Sequence, residues 1–363
     1  MALTAINFAV LTILCFDFGW DLPYHAVVQY IYWCIFLAGF AALGVNMSTE
    51  PTRFQILSLD GGGIKGLYSA AVLAKIEDDL HINVADHFDL IVGASTGGII
   101  ALGLGAGFRP REIVHFYVSQ GPTIFPTKLW YKRLGCLWSR KYPQDPLKKA
   151  LQNCFREKRL ADCMKRLVIP SYNLDKDEVY LFKTRHHPRL TRDWKEPLWK
   201  VALATSAAPT FFPACRDVDC IRLIDGGVWA NNPTMAGIVE AVSMLGVPLD
   251  AISVLSLGTT NPVANKPNSL DNGGLWQWRK TAIDVALRGQ SHGVQGQAQH
   301  LLGKERVTRI DPQVHDRLFE LDKLNEERLL GEAAHASRHF SPDFAAKFKP
   351  HIAAPFHPID FSK

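Results

Sequence analysis

The sequence predicts an α/β fold with a mostly parallel central sheet covered by helices on both faces. Short apolar runs end in glycine-rich turns and lead into helical patterns twice in succession, at 54–59 and 88–92. The second run is predominantly apolar, as suits a strand buried on both faces. Strand and helix patterns then alternate as far as Pro262, the order that crossover connections in a parallel sheet require.

Taken in order, residues 54–59 form a strand that ends in Asp60-Gly61-Gly62-Gly63, and Leu67, Ala71, Leu73, Ile76 and Leu80 then recur at helical spacing. The 88–92 strand runs into Gly93-Ala94-Ser95-Thr96-Gly97, and 96–104 is a small-residue helix suited to close packing on a sheet. Residues 166–173 and 179–182 read as strands. Pro197 opens a helix that reaches Ser206, in the first-turn position where proline is tolerated. A brief strand at 222–224 precedes Asp225, a helix follows at 234–245, and 252–257 is another buried strand before a Gly-Thr-Thr-Asn-Pro turn. Beyond Pro262 the pattern changes to helices at 276–302 and 322–340, joined by Gly/Pro/Asn-rich connections. The expected organisation is a catalytic domain at 47–262 and a mainly helical extension at 263–363 packed on it.

Residues 1–46 stand apart. The stretch 26–45 is uncharged and long enough to cross a bilayer, yet no Lys or Arg occurs before Arg53 to orient it. Met47 begins a polar Met-Ser-Thr-Glu-Pro leader, so 1–46 reads either as a membrane anchor or as an upstream stretch not used in the cell. All 40 basic residues lie after position 46 against 33 of the 35 acidic ones, a charge of +7. Twelve Lys/Arg fall in 128–166 among Trp130, Tyr131, Trp138 and Tyr142, a mixture that suits an anionic lipid surface or a phosphate-bearing ligand, or else a solvated helical face. The seven cysteines form no C-x-x-C pair, which fits a reducing compartment and gives no zinc pattern.

Ser95 lies in G-x-S-x-G, where Gly93 and Gly97 leave room for a tight strand-to-helix turn that lifts the hydroxyl into the open at a helix N-terminus. The loop from Asp60 to Gly66 also matches dinucleotide-binding spacing, G-x-G-x-x-G. That reading fails at the second strand, which ends in Gly-Ala-Ser rather than in an acidic residue for a ribose, and no Gly-Lys-Ser/Thr marks a P-loop. The consecutive glycines Gly61, Gly62 and Gly63 instead offer backbone N–H groups that can stabilise a tetrahedral oxyanion beside Ser95. Lys65 fixes that loop, meets a phosphate, or simply faces solvent. Asp225 opens Asp-Gly-Gly, either a general base held close to another backbone or a turn aspartate.

The flanks of Asp225 decide between these. Ala204-Thr205-Ser206-Ala207-Ala208-Pro209 precedes it and Asn231-Asn232-Pro233 follows, and with the two earlier motifs they make the chain resemble the patatin-like phospholipases over roughly 54–261. The resemblance implies a three-layer α/β/α fold and a dyad in which Ser95 is the nucleophile and Asp225 the base. It also implies an oxyanion hole at Gly61, Gly62 and Gly63, with Lys65, Gly66, Gly93, Gly97, Gly226 and Gly227 as supporting motif residues. Lys65 stands where many relatives carry Arg. The implied substrate is a membrane phospholipid, with no metal and no cofactor.

The compact body and helical extension are also similar to the cyclic-dinucleotide-activated phospholipases of antiphage (CBASS) signalling. That similarity implies a cyclic dinucleotide such as cGAMP as allosteric activator, no nucleic acid polymer as partner, a homo-oligomer, and a cytoplasmic enzyme acting on the inner membrane surface, anchored there if 1–46 is retained. Candidate activator or membrane faces are 128–166 and 276–300, the latter with Arg279, Arg288, His292 and His300. Two alternatives stand beside this reading. One is a constitutive Ser-His-Asp esterase drawing on His292 or His300, and the other a non-catalytic nucleotide or lipid sensor.

Overall fold

Side chains that alternate along parallel strands create two hydrophobic cores, one on each face of the central sheet. The computed structural model describes residues 53–126, 141–262, 268–278, 281–314 and 325–359. In chain order the elements are β1 (Phe54–Leu59), α1 (Gly66–Leu80), β2 (Leu90–Gly93), α2 (Thr96–Gly105), α3 (Pro110–Ile124), α4 (Asp145–Phe155), β3 (Arg166–Asn173) and β4 (Glu178–Lys183). There follow α5 (Leu198–Thr205), β5 (Leu223–Asp225), the single turn α6 (Gly227–Ala230), α7 (Thr234–Ser243), β6 (Ile252–Leu257), β7 (Asn261–Pro262) and α8 (Leu275–Trp278). The chain continues through α9 (Thr281–Leu302), β8 (Val307–Ile310), β9 (Gln313–Val314) and α10 (Glu326–Lys347).

The main sheet has the order β4-β3-β2-β1-β6-β8, parallel from β3 to β8, with β4 antiparallel at its edge. Leu57, Leu59, Ile91, Leu167, Ile169, Leu255 and Leu257 point into the core shared with α1 to α5 and α10. Ile56, Leu90, Val92, Val168, Ile252 and Val254 point the other way, against Ile238 of α7 and Ala298 and Leu302 of α9. The arrangement is three layers, α/β/α.

One departure from simple parallel order positions the site. β5 pairs antiparallel with the end of β3, Ser171 opposite Asp225, while β2 pairs with the start of β3, Val92 opposite Val168. Because β4 covers the other flank of β3 across these residues, β2 and β5 share one flank and run toward each other. Their C-terminal ends meet beside Ile169 and Pro170, so the residues that follow each strand converge.

The region after Pro262 is not only helical, since β8 extends the main sheet and β9 pairs with β7. The sequence gives little sign of β8, because Val307-Thr308-Arg309-Ile310 is short and carries a charge at its centre. Within the predicted 276–302 helix the structure describes α8 and α9, with 279–280 outside the described residues. The final helix runs to Lys347, past the predicted end at 340 and through Pro342. Proline removes one helical N–H, but Phe340, Phe344 and the following Phe348 hold both sides of it in the core. Residues 1–46 lie outside the described residues, as do Trp130, Tyr131 and Trp138. Among the described residues no helix is long and apolar enough to cross a membrane.

α10 packs along α1 through Leu329, Ala333, Phe340 and Phe344, and the tail beyond it straps the start of the sheet. Gln55 Nε2 donates to the carbonyls of His87 (2.6 Å) and Phe348 (3.0 Å), and His351 Nε2 meets Asp89 Oδ2 at 2.7 Å. Phe344 is fully buried and makes edge or tilted contacts with His87, Phe88, Phe340 and Phe348. Phe344→Ala should therefore destabilise the chain by about 3–5 kcal/mol. Urea denaturation would show this as a lower midpoint at unchanged slope.

Candidate active site

Ser95 occupies the turn between β2 and α2 with φ 54° and ψ −123°, a conformation that costs a non-glycine residue about 1–3 kcal/mol. The surroundings enforce it. A Cβ at Gly93, Gly97 or Gly226 would fall 2.2 Å from a backbone oxygen, that of Gly97, Leu59 or Pro170 respectively, so three chain crossings close around the turn only with glycine there. The Ser95 N–H donates to Thr205 Oγ1 at 3.0 Å, and Thr205 Oγ1 in turn donates to Pro170 O at 2.5 Å, which ties the elbow to α5 and β3.

Ser95 Oγ donates to Asp225 Oδ2 at 2.6 Å. The second carboxylate oxygen, Oδ1, accepts from Gly227 N at 2.7 Å, so both oxygens are held and the carboxylate cannot turn away. Asp225 is 5% exposed, and burial pushes its carboxyl up to about 6 against the hydrogen bonds from Ser95 and Gly227. Such a carboxylate is a far better proton acceptor near neutrality than one in water.

The glycine loop lies beside this pair. A Cβ on Gly61 would come within 3.3 Å of Ser95 Cβ. Its N–H is already given to Asn231 O at 2.9 Å, which removes Gly61 from the expected set of oxyanion donors and makes it the loop's anchor to the Asp225 segment. Among the described residues Gly62 and Gly63 have no partner for their N–H groups, and Gly63 takes the left-handed conformation, φ 60°, that turns the loop into α1. Gly66 begins α1 against Thr96.

Lys65 does not face solvent. It is 8% exposed, its Nζ donates to Thr260 O at 3.1 Å, and burial brings the ammonium down to about 8 against the attraction of Asp311. Asp60, at the head of the loop, forms a two-pronged ion pair with Arg309 of β8, Nη1 to Oδ1 at 2.8 Å and Nη2 to Oδ2 at 2.6 Å. Sequence reasoning missed Arg309, because nothing local marks a partner 249 residues away. It also missed Thr205 and Asn231 as individual contributors, although both lie in the flanking segments that carry the resemblance.

His292 and His300 are exposed on α9, and among the described residues no histidine bonds to Ser95 or Asp225. The basic stretch is largely occupied where it is described. Lys148 pairs with Asp217, Lys158 donates to Ala106 O at 3.0 Å, and Arg166 stacks over Phe356. No cluster of His, Cys, Asp or Glu suited to a metal ion occurs among the described residues.

The family model for patatin-like phospholipases matches residues 57–238, the span that holds the glycine loop, the serine elbow and Asp225. This chain belongs to the patatin-like phospholipase family. A cGAMP-activated phospholipase of Pseudomonas aeruginosa (strain BWHPSA011 / Pa011) is 36% identical over 261 residues, 71% of this chain and 78% of that protein. The cGAMP-activated phospholipase of Escherichia coli (strain TW11681) is 36% identical over 227 residues, but the match spans 64% of its length and 58% of this chain. Patatin-like protein 4 of Arabidopsis thaliana is 32% identical over 215 residues, 52% of this chain and 53% of that protein. Among solved structures, VipD from Legionella pneumophila aligns with TM-score 0.45 at 11% identity, over 82% of this chain and 67% of that chain.

In this patatin-like phospholipase the buried carboxylate carries a stability signature. A folded-state carboxyl raised from 3.8 to about 6 binds its proton more tightly than the unfolded chain does, so its contribution is lost as pH rises through that window. Asp225→Asn, which cannot ionise, should therefore gain on the parent by up to about 3 kcal/mol between pH 4 and pH 7. Denaturation midpoints of both proteins across that range test the sign.

Proposed function

We propose that this patatin-like phospholipase is a serine lipid acyl hydrolase that releases fatty acids from membrane phospholipids and is switched on by a cyclic dinucleotide. The 2.6 Å contact between Ser95 Oγ and the buried Asp225 carboxylate carries the reading. Asp225 takes the hydroxyl proton as Oγ attacks the ester carbonyl carbon, and the Gly62 and Gly63 N–H groups receive the developing oxyanion. Collapse of the tetrahedral intermediate breaks the bond to the lysophospholipid oxygen, which takes the proton back from Asp225. Water then attacks the acyl-serine, again giving its proton to Asp225, and the fatty acid leaves with Ser95 restored. The direct hydrogen bond favours this dyad over a triad, since His292 and His300 stand away from it on α9. Control by a cyclic dinucleotide is supported by two relatives named cGAMP-activated phospholipase at 36% identity, and the antiviral role and inner-membrane site of action follow the same analogy.

Fatty-acid release from mixed phospholipid vesicles by the full chain, with and without a panel of cyclic dinucleotides, tests the reading. Release should appear with one nucleotide and be lost by about 10³-fold or more in Ser95→Ala and in Asp225→Asn, while His292→Ala and His300→Ala should retain a nucleophile that a fluorophosphonate labels. Equal release by parent and Ser95→Ala would refute the assignment. Because Asp225 must be ionised to act, kcat/KM should rise about tenfold per pH unit up to about 6 and level off above it.

A further inference from the structure

A polar cavity of about 210 Å³ lies behind the glycine loop, lined on the α9 side by Arg288, Ser291, His292 and Gln295 and on the other by Arg309 and Asp311. Its chemistry is incomplete as it stands. Gln295 Nε2 and Oε1 and Asp311 Oδ1 are buried and have no hydrogen-bond partner among the described residues, a state that costs about 1–3 kcal/mol per group unless a ligand or water completes it. Arg309 is neutralised by Asp60 and Asp311, so the positive charge available to a ligand comes from Arg288 and, when protonated, His292.

The α9 wall of the cavity touches both halves of the candidate active site. Ser291 Oγ donates to Asp60 Oδ2 at 3.4 Å and accepts from Arg309 Nη2 at 3.3 Å, at the head of the glycine loop. One residue earlier, Gln290 clasps the backbone of Asn232, accepting from its N–H at 3.0 Å and donating to its carbonyl at 3.2 Å, next to the Asn231 carbonyl that anchors Gly61. A group that draws Arg288, His292 and Gln295 together would thus pull on the segment of α9 that holds the oxyanion loop and the Asp225 loop at once.

We propose that this cavity is the binding site for a phosphodiester that bears an adjacent hydrogen-bond donor, held by Arg288, His292 and Gln295 with the donor on Asp311 Oδ1. This deepens the reading that a phosphodiester ligand controls the Ser95 site and rests on it. A guanidinium and an imidazole suit the phosphate oxygens, the Gln295 amide supplies one further donor, and the Asp311 oxygen rejects a bare anion while accepting from a hydroxyl or base N–H beside the phosphate. The volume is below the 300–1,000 Å³ usual for a whole small-molecule ligand, so the cavity takes one phosphodiester and its attached group while the remainder of the ligand lies outside. Two sources share this chemistry, a soluble cyclic dinucleotide and a glycerophospholipid headgroup.

The test is equilibrium binding of cGAMP, by calorimetry, and of phosphatidylglycerol vesicles, by sedimentation, to the full chain and to two variants, Arg288→Ala/His292→Ala and Gln295→Leu. Thermal melting selects variants that fold, and Gln295→Leu preserves volume should the double variant not. A tenfold or greater loss of cGAMP affinity in the variants, with vesicle binding retained, supports the site with the cyclic dinucleotide as its ligand. The same loss confined to vesicles supports it with the lipid headgroup. If the parent binds either probe and folded variants bind it as tightly, the site is overturned while ligand control of the enzyme stands. If the parent binds neither, the site and ligand control fall together, and vesicle hydrolysis by the parent still tests the Ser95 chemistry separately.

Discussion

A single hydrogen bond, from Ser95 Oγ to a carboxylate that the fold has removed from water, is the constraint to which the rest of the architecture answers. Burying Asp225 is unfavourable, and holding Ser95 at positive φ is unfavourable as well. Both strains are sustained by a sheet whose strands are buried on both faces. β3 carries them together, because β2 and β5 approach each other along one of its flanks and end beside Pro170, whose carbonyl receives Thr205 and abuts Gly226. Stability drawn from distant packing, such as that of α10 on α1, is thereby spent on chemical poise at the strand ends.

The glycine loop is held with comparable care from the opposite direction. Asp60 is fixed by Arg309 of β8, Gly61 by the carbonyl of Asn231, and Lys65 by the carbonyl of Thr260. These three ties restrain the backbone while the Gly62 and Gly63 N–H groups keep no partner among the described residues, which is the pre-organisation that an oxyanion site requires. They also make the loop sensitive to β8 and α9, elements remote in sequence, so the same ion pair that rigidifies the site offers a route by which it can be controlled.

Much of this was readable from the residues because it is local. The Gly93 to Gly97 elbow, the glycine loop after β1 and the Asp225-Gly226-Gly227 turn each declare themselves within a few positions, and apolar runs located β1, β2, β3 and β6. What the residues did not disclose depends on contacts far apart in the chain. Arg309 sits in a four-residue strand whose central Thr-Arg pair gives no β pattern, and its role exists only once Asp60 is beside it. Gly61 looks like its neighbours in sequence, yet its N–H is consumed by Asn231. The basic stretch suggested a ligand face, whereas Lys148, Lys158 and Arg166 are engaged with Asp217, Ala106 and Phe356, a distinction that charge counting cannot draw.

The most direct measurement is a crystal structure of the full chain after reaction with a fluorophosphonate, whose tetrahedral phosphorus stands in for the acyl intermediate. The account requires the phosphorus bonded to Ser95 Oγ, with one phosphonyl oxygen about 2.7–3.1 Å from the Gly62 and Gly63 nitrogens and the Asp225 carboxylate still facing the adduct. An adduct on another residue, or a phosphonyl oxygen directed away from the glycine loop, would contradict it.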